Sequence, residues 1–332
     1  MIRKQIIATS GKDRHNQQIP EEELLVITQK INEDNASIRL GVEHDPTLLP
    51  IGKIVKAKMI SINENEIAIE AEIDEFINDF NKMIGPSGDI WYVGESKLDT
   101  RPFIQNTHDY NGNILFSINP IYFQNKDFEF VKRTLEQEQI KVEENVQKAF
   151  SPEVQLVIEV VERLLVFLLL RKSIDKITDA IVDDAVKLYS LLKKGISLFF
   201  NNVSEHCKKV VVLSAPNSPI ELVVCANDAD LVIDAYEKLE KLDIQSEIQK
   251  YENYFGDTID KIQYLYTKED EEWKVNYFTT KSGKSVGTEK CYLRATTMYN
   301  KVLNSPKAGF SIAGSIKTEE ENNVRTDNSN NF

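Results

Sequence analysis

The chain has 332 residues, 41% hydrophobic and 28% charged, which is ordinary for a globular protein and long enough to bury two cores. A net charge of −13 argues against a phosphate-backbone partner, so no nucleic acid is expected, and it favours solubility. Cys207, Cys225 and Cys291 are too widely spaced for a disulfide framework or a metal-binding pair, and the first residues lack a signal-peptide core, so reduced thiols in a cytoplasm are expected.

Gln5 to Thr9 reads as a short strand, and Pro20 opens a helix whose first turn carries Glu21 to Glu23 and whose apolar stripe is Leu24, Leu25, Ile27 and Ile31. Val55, Ala57 and Met59 alternate with lysines. Ile67, Ile69, Ala71 and Ile73 alternate with Ala68, Glu70 and Glu72 after Asn63-Glu64-Asn65-Glu66, which predicts a hairpin with one buried face. Phe76 to Ile84 looks helical up to Gly85-Pro86, and Ile114 to Ile118 looks like a strand. Ser151-Pro152-Glu153 supplies a side-chain cap and an N-terminal proline, and apolar periodicity from there predicts a helix to about Leu192, with a break near Ser173 or Asp175. Its first half, Val154 to Leu170, is apolar nearly all round but interrupted by Glu159, Glu162 and Arg163. That favours packing over membrane contact, which stays open as an alternative.

In the second half, Leu170, Ile174, Ile177, Ile181, Ala185, Leu188 and Leu192 form one stripe that needs a partner face in cis or in trans. Lys209 to Leu213 and Glu221 to Cys225 read as strands, and Asp228 or Asp230 opens a helix to Leu239. A meander is predicted from Lys261–Tyr266, Trp273–Phe278 and Lys290–Leu293, with turns at Glu269-Asp270 and Ser282-Gly283, followed by a short helix from Ala295 to Val302. The tail from Thr318 has no apolar anchors and is expected to be disordered.

Four histidines are candidates for chemistry. His15 and His108 sit in polar loops, where turn chemistry explains them, and His206 beside Cys207 lacks a second ligand pair, so no metal and no cofactor are expected. Gly283-Lys284-Ser285 lacks the leading glycine of a phosphate loop and lies in a turn. His44 differs: Gly41-Val42-Glu43-His44-Asp45-Pro46 and Pro50-Ile51-Gly52-Lys53 constrain the backbone on both sides of it. It suits a general base or a turn residue whose ring caps backbone groups.

This segment, with Ala8-Thr9-Ser10, Asp13-Arg14, Ile19-Pro20 and the hairpin, resembles the prohead (capsid-maturation) serine proteases of tailed bacteriophages and their prophage relatives. The resemblance covers roughly a quarter of the chain. It implies a β-rich fold in which His44 would be the base and Ser311, in Gly309-Phe310-Ser311-Ile312-Ala313-Gly314, the nucleophile, with Ser117 as the weaker alternative. Family members hold both groups in one compact domain, so 310–316 would have to return beside the N-terminal sheet. No third residue that would orient the imidazole stands out.

The expected fold is therefore α+β: a β-rich prohead-protease-like domain over 1–125, a helical connector over 126–200, an α+β domain with an antiparallel sheet over 201–304, a strand within 305–317 and a disordered tail over 318–332. The leading functional expectation is a cytoplasmic, bacterial or prophage-related protein acting through a protein partner or self-association at the 170–192 face, without peptidase activity. The alternatives are a serine peptidase, conceivably self-processing, using His44 and Ser311, and a membrane-associated effector using 154–170.

Overall fold

The fold is described from a computed structural model. It covers residues 2–11, 19–33, 35–42, 45–104, 113–119, 123, 125–144, 155–162, 165, 179–203, 208–215, 218–304 and 310–313, excepting the side chains of 125, 126, 155, 162, 179–185 and 310–313. His15, His44, His108, His206, Cys207, most of the Leu170–Ala185 stripe and the tail from Thr318 lie outside this description.

Among the described residues the architecture is mixed α/β, with two sheets and six α-helices. The smaller sheet is antiparallel, in the order β1 (Ile2–Thr9), β4 (Glu66–Glu75), β3 (Gly52–Asn63), β2 (Ile38–Val42) and β15 (Phe310–Ala313). The larger runs β5 (Asn81–Ile84), β6 (Ile90–Glu95), β14 (Lys284–Thr288), β13 (Trp273–Thr280), β12 (Ile259–Tyr266), β11 (Ile220–Ala226), β10 (Lys208–Ser214), β9 (Gln155–Glu162), β7 (Ile114–Ile118) and β8 (Lys141–Glu144). Its ten strands come from both sides of positions 125 and 200.

Three parallel pairs, β7/β8, β9/β10 and β11/β12, require crossovers, because parallel strands cannot be joined by a tight turn. The crossovers contain α2 (Asn125–Gln137), α3 (Asp179–Asn201), and α4 (Ala229–Glu237) with α5 (Ile244–Phe255). All four helices pack on one face of the large sheet, in a core holding Phe116, Ile158, Leu192, Phe199, Tyr264 and Phe278. The helix α3 approaches closely at Gly195, where a β-carbon would come within 2.5 Å of the Phe116 ring. A second core on the opposite face joins the small sheet to α1 (Glu21–Glu33), α6 (Glu289–Asn304) and Tyr277. The two-sidedness follows from strand alternation: Phe278 serves one core and Tyr277 the other.

Local chemistry accounts for most boundaries. Asp228 caps α4 by accepting from the Leu231 N–H at 2.9 Å, so Asp228, not Asp230, opens that helix. Asp243 caps α5, and Gly256 ends it at φ 65°. The β3–β4 hairpin forms as the alternation predicts, burying Ala57, Ile69, Ala71 and Ile73. In α1, Leu24, Thr28 and Ile31 are buried while Leu25 is exposed.

Three expectations are corrected. Residues 155–162 form β9, not a helix: this strand lies between β10 and β7, with Leu156, Ile158 and Val160 buried in the helix-covered core, while Val157 and Val161 on the other face are apolar too and blur the period-2 signal. Phe76 to Ile84 is a 3-10 turn, Ile77–Asp79, followed by β5, because Phe80 is extended (ψ 131°) and the next residues pair with β6. Lys290 to Leu293 opens α6 and is not the third meander strand; Thr288 accepts from the Cys291 N–H at 3.3 Å as the cap, and the strand lies earlier, at β14. Among the described residues no helix is long and apolar enough to cross a membrane.

Candidate functional site

The turn after His44 and the strand before it are both held against the large sheet by buried polar side chains. The register of β12 with β13 shifts between Gln263, opposite Tyr277, and Tyr264, opposite Val275. Asn276 is the extra residue of this bulge, and the irregularity turns Asn276 and Tyr277 toward the same side. That side meets the small sheet. Asn276 Nδ2 donates to the Thr47 carbonyl at 2.7 Å, and Arg39 Nη1 of β2 donates to the Tyr277 hydroxyl at 3.1 Å.

The surrounding groups complete a network. Gln263 Nε2 donates to the Pro46 carbonyl at 2.7 Å, and Gln263 Oε1 accepts from Asn276 at 2.6 Å. Arg294 Nη2, on α6, donates to the Thr47 carbonyl at 2.9 Å and to Asn276 Oδ1 at 3.0 Å. Asp45 is anchored from both sides: its Oδ1 accepts from Thr47 N and Oγ1 at 2.9 and 2.6 Å, and its Oδ2 faces Lys208 of β10 at 3.4 Å.

Next to this network lies a balanced charge cluster, with Glu221 paired to both Lys261 and Gln263. Burial raises the Glu221 carboxyl, but Lys261 and Arg39 outweigh it and hold the group below its usual range. Burial lowers the Lys261 ammonium, only partly offset by Glu221. For Arg39 burial again opposes the charge, and Tyr277 and Glu221 override it and leave the guanidinium above its ordinary value. A carboxylate so stabilised is a poor proton acceptor, so this cluster fixes geometry rather than moving protons. Burial also pushes the Cys291 thiol up to about 11, which makes it an inert core thiol.

The sequence-predicted residues are distributed as follows. His44 is outside the described residues, as is the Ser311 side chain. The backbone of Ser311 is in β15, which pairs with β2 so that Ser311 stands opposite Gly41, three positions before His44. Ser311 thus stands beside the C-terminal end of β2, antiparallel partners lying about 5 Å apart. Ser117 is elsewhere: it is buried in β7 of the large sheet, opposite Glu143 and Glu159.

Gly52 and Lys53 have structural work. A β-carbon at Gly52 would stand 2.7 Å from the Asp74 carbonyl, so only glycine permits this approach of β3 to β4. Lys53 is fully buried and donates to the carbonyls of Asp99 (2.8 Å) and Arg101, with the Phe103 ring centroid 4.8 Å away. Burial lowers its ammonium to about 8. Among the described residues no group of three His, Cys, Asp or Glu is arranged to hold a metal ion.

Sequence reading passed over Arg39, Gln263, Asn276 and Arg294. For Gln263 and Asn276 the signal was there as amides inside apolar strands, in Lys-Ile-Gln-Tyr-Leu and Lys-Val-Asn-Tyr-Phe, since a buried amide must find partners. No protein-family model, no curated protein and no solved structure matches this chain.

Proposed function

We propose that the chain is a prohead-protease-like protein with a serine peptidase site at the β2–β15 edge, where His44 is the base and Ser311 the nucleophile. The supporting observation is the pairing of β15 with β2, which places Ser311 opposite Gly41. A hydroxyl becomes a nucleophile only with a base in hydrogen-bond reach, and this topology brings together two segments that the sequence keeps far apart. The fixed turn at Asp45 to Leu48 suits a base whose ring must hold one orientation. A fluorophosphonate probe tests the reading: covalent labelling of the wild type, and none of Ser311→Ala, is expected. An unlabelled wild type rejects it.

A second reading keeps the fold and drops the chemistry, so that the chain acts through protein interaction in a prophage-related setting. It is favoured by exposed apolar side chains on two sheet-edge strands, Ile2 and Ile6 of β1 and Met83 and Ile84 of β5. Self-association at the 170–192 face is narrowed by Leu188 and Leu192, which pack in cis against the large-sheet core.

A further inference from the structure

We propose that Asn276 and Arg294, on the large sheet and α6, are positioning residues for the turn that follows His44. The geometry of the small-sheet edge is thereby set by a face of the other sheet. The catalytic consequence rests on the peptidase reading above; the restraint itself does not.

The turn satisfies its own N–H groups and leaves the carbonyls of Pro46 and Thr47 to others. Asp45 N donates to the Val42 carbonyl at 3.1 Å and Leu48 N to the Asp45 carbonyl at 3.3 Å, while Thr47 N is taken by the Asp45 carboxylate. The carbonyls of Pro46 and Thr47 then point at the large sheet. There they meet Gln263 from β12, Asn276 from β13 and Arg294 from α6, with the Cys291 thiol also on Thr47 O at 3.7 Å. Three elements thus hold two successive peptide groups.

Asn276 is the centre of the arrangement. It is 4% exposed, and its amide donates to Thr47 O and Gln263 Oε1 and accepts from Arg294 Nη2. With those three bonds made, neither an amide flip nor a carboxylate fits without leaving a buried group unpaired. Immediately beyond the turn, Leu49 is fully buried against Gly287, where a β-carbon would come within 2.8 Å of Leu49 Cδ1. Contact on one side and hydrogen bonds on the other leave the turn one seat. A base preceding such a turn inherits its orientation, and orientation of a catalytic group is worth orders of magnitude in rate.

Two measurements on the full chain test this: amide hydrogen exchange over residues 45–51, and the rate of fluorophosphonate labelling against pH. The variants are Asn276→Asp, which keeps the size but sets an acceptor against the two carbonyl oxygens that Nδ2 donates to, Arg294→Met, and Arg294→Lys, which keeps a cationic donor. Exchange in 45–51 should rise by roughly tenfold in Asn276→Asp and Arg294→Met, the value of a buried hydrogen bond, with β10 and β11 unchanged and Arg294→Lys recovering most of the protection. Labelling should slow, with its pH midpoint displaced, in the same two variants. Unchanged exchange in 45–51, or a rise spread evenly over the chain, overturns the proposal. So does labelling at the wild-type rate and pH midpoint in both variants. A wild type that never labels, with the exchange pattern intact, rejects the peptidase reading and supports the restraint. If Asn276→Asp does not fold, the Arg294 pair decides.

Discussion

At the residue scale, Lys53 illustrates how a residue noticed for one reason serves another. It ends the Pro50-Ile51-Gly52-Lys53 segment that marks the family resemblance, and the fold uses it to tie the 99–101 backbone to β3 through two carbonyls. Its ammonium falls from 10.5 to about 8 because it is buried. Below the lower value both folded and unfolded chains hold the proton, and the cost of burying the charge is felt in full. Between the two values the unfolded chain binds more protons, so stability rises with pH across this window. Compared by urea denaturation, the wild type should gain more than Lys53→Met between pH 8 and 10.5, the difference reaching on the order of 3 kcal/mol. Parallel pH profiles for the two proteins would reject this account of Lys53. The constraint on Gly52 and Lys53 could be read from the sequence; its cause could not, since the Asp99 and Arg101 carbonyls arrive from a loop with no periodic signal.

At the element scale, the β15–β2 register is what brings Ser311 near the His44 segment. Cross-strand partners have Cα atoms at a separation a disulfide accepts, so Gly41→Cys with Ser311→Cys should oxidise readily, whereas Ser61→Cys, exposed on β3, with Ser311→Cys should not. Equal oxidation of the two pairs, or of neither, would break the register. A separate test concerns α3. Gly195→Ala drives a methyl group into the Phe116 ring and should cost about 1–3 kcal/mol, measured by thermal unfolding and eased by Phe116→Leu. The helix was legible from its 3.6-residue stripe, but its end was not: it lies at Asn201 and not near Leu192, because Ile196, Phe199 and Phe200 continue the buried face. The β3–β4 hairpin was legible from its alternation. The strand β9 was not, because Val157 and Val161 make its half-buried face apolar too and the run resembles a buried helix. Missing β9 also hid its parallel pairing with β10 and the crossover between them.

Across the whole molecule, the two sheets share α6, Tyr277 and the turn at Pro46 and Thr47, so they are expected to unfold together. Far-ultraviolet dichroism and the fluorescence of Trp91 and Trp273 should give coincident transitions, and separated midpoints would show the sheets to be independent. The same view bears on association. Leu188 is packed in cis, so Leu188→Lys should lower the free energy of unfolding by about 1–3 kcal/mol and leave the sedimentation coefficient unchanged. An altered oligomeric state in a fully stable variant would instead support a partner face in trans. Of the residues proposed for the site, His44 and Ser311 were put forward on the motif resemblance alone, while the contacts of Asn276 and Arg294 emerge only once β12, β13 and α6 are assembled.

The central claim is that this topology assembles a serine nucleophile with a histidine base. Intact-mass analysis after fluorophosphonate treatment, followed by peptide mapping, addresses it most directly. The account predicts a single adduct on the peptide carrying Ser311, lost in Ser311→Ala and slowed at least about a hundredfold in His44→Ala, the scale of general-base assistance. An adduct on Ser117, or equal labelling of wild type and His44→Ala, would contradict it.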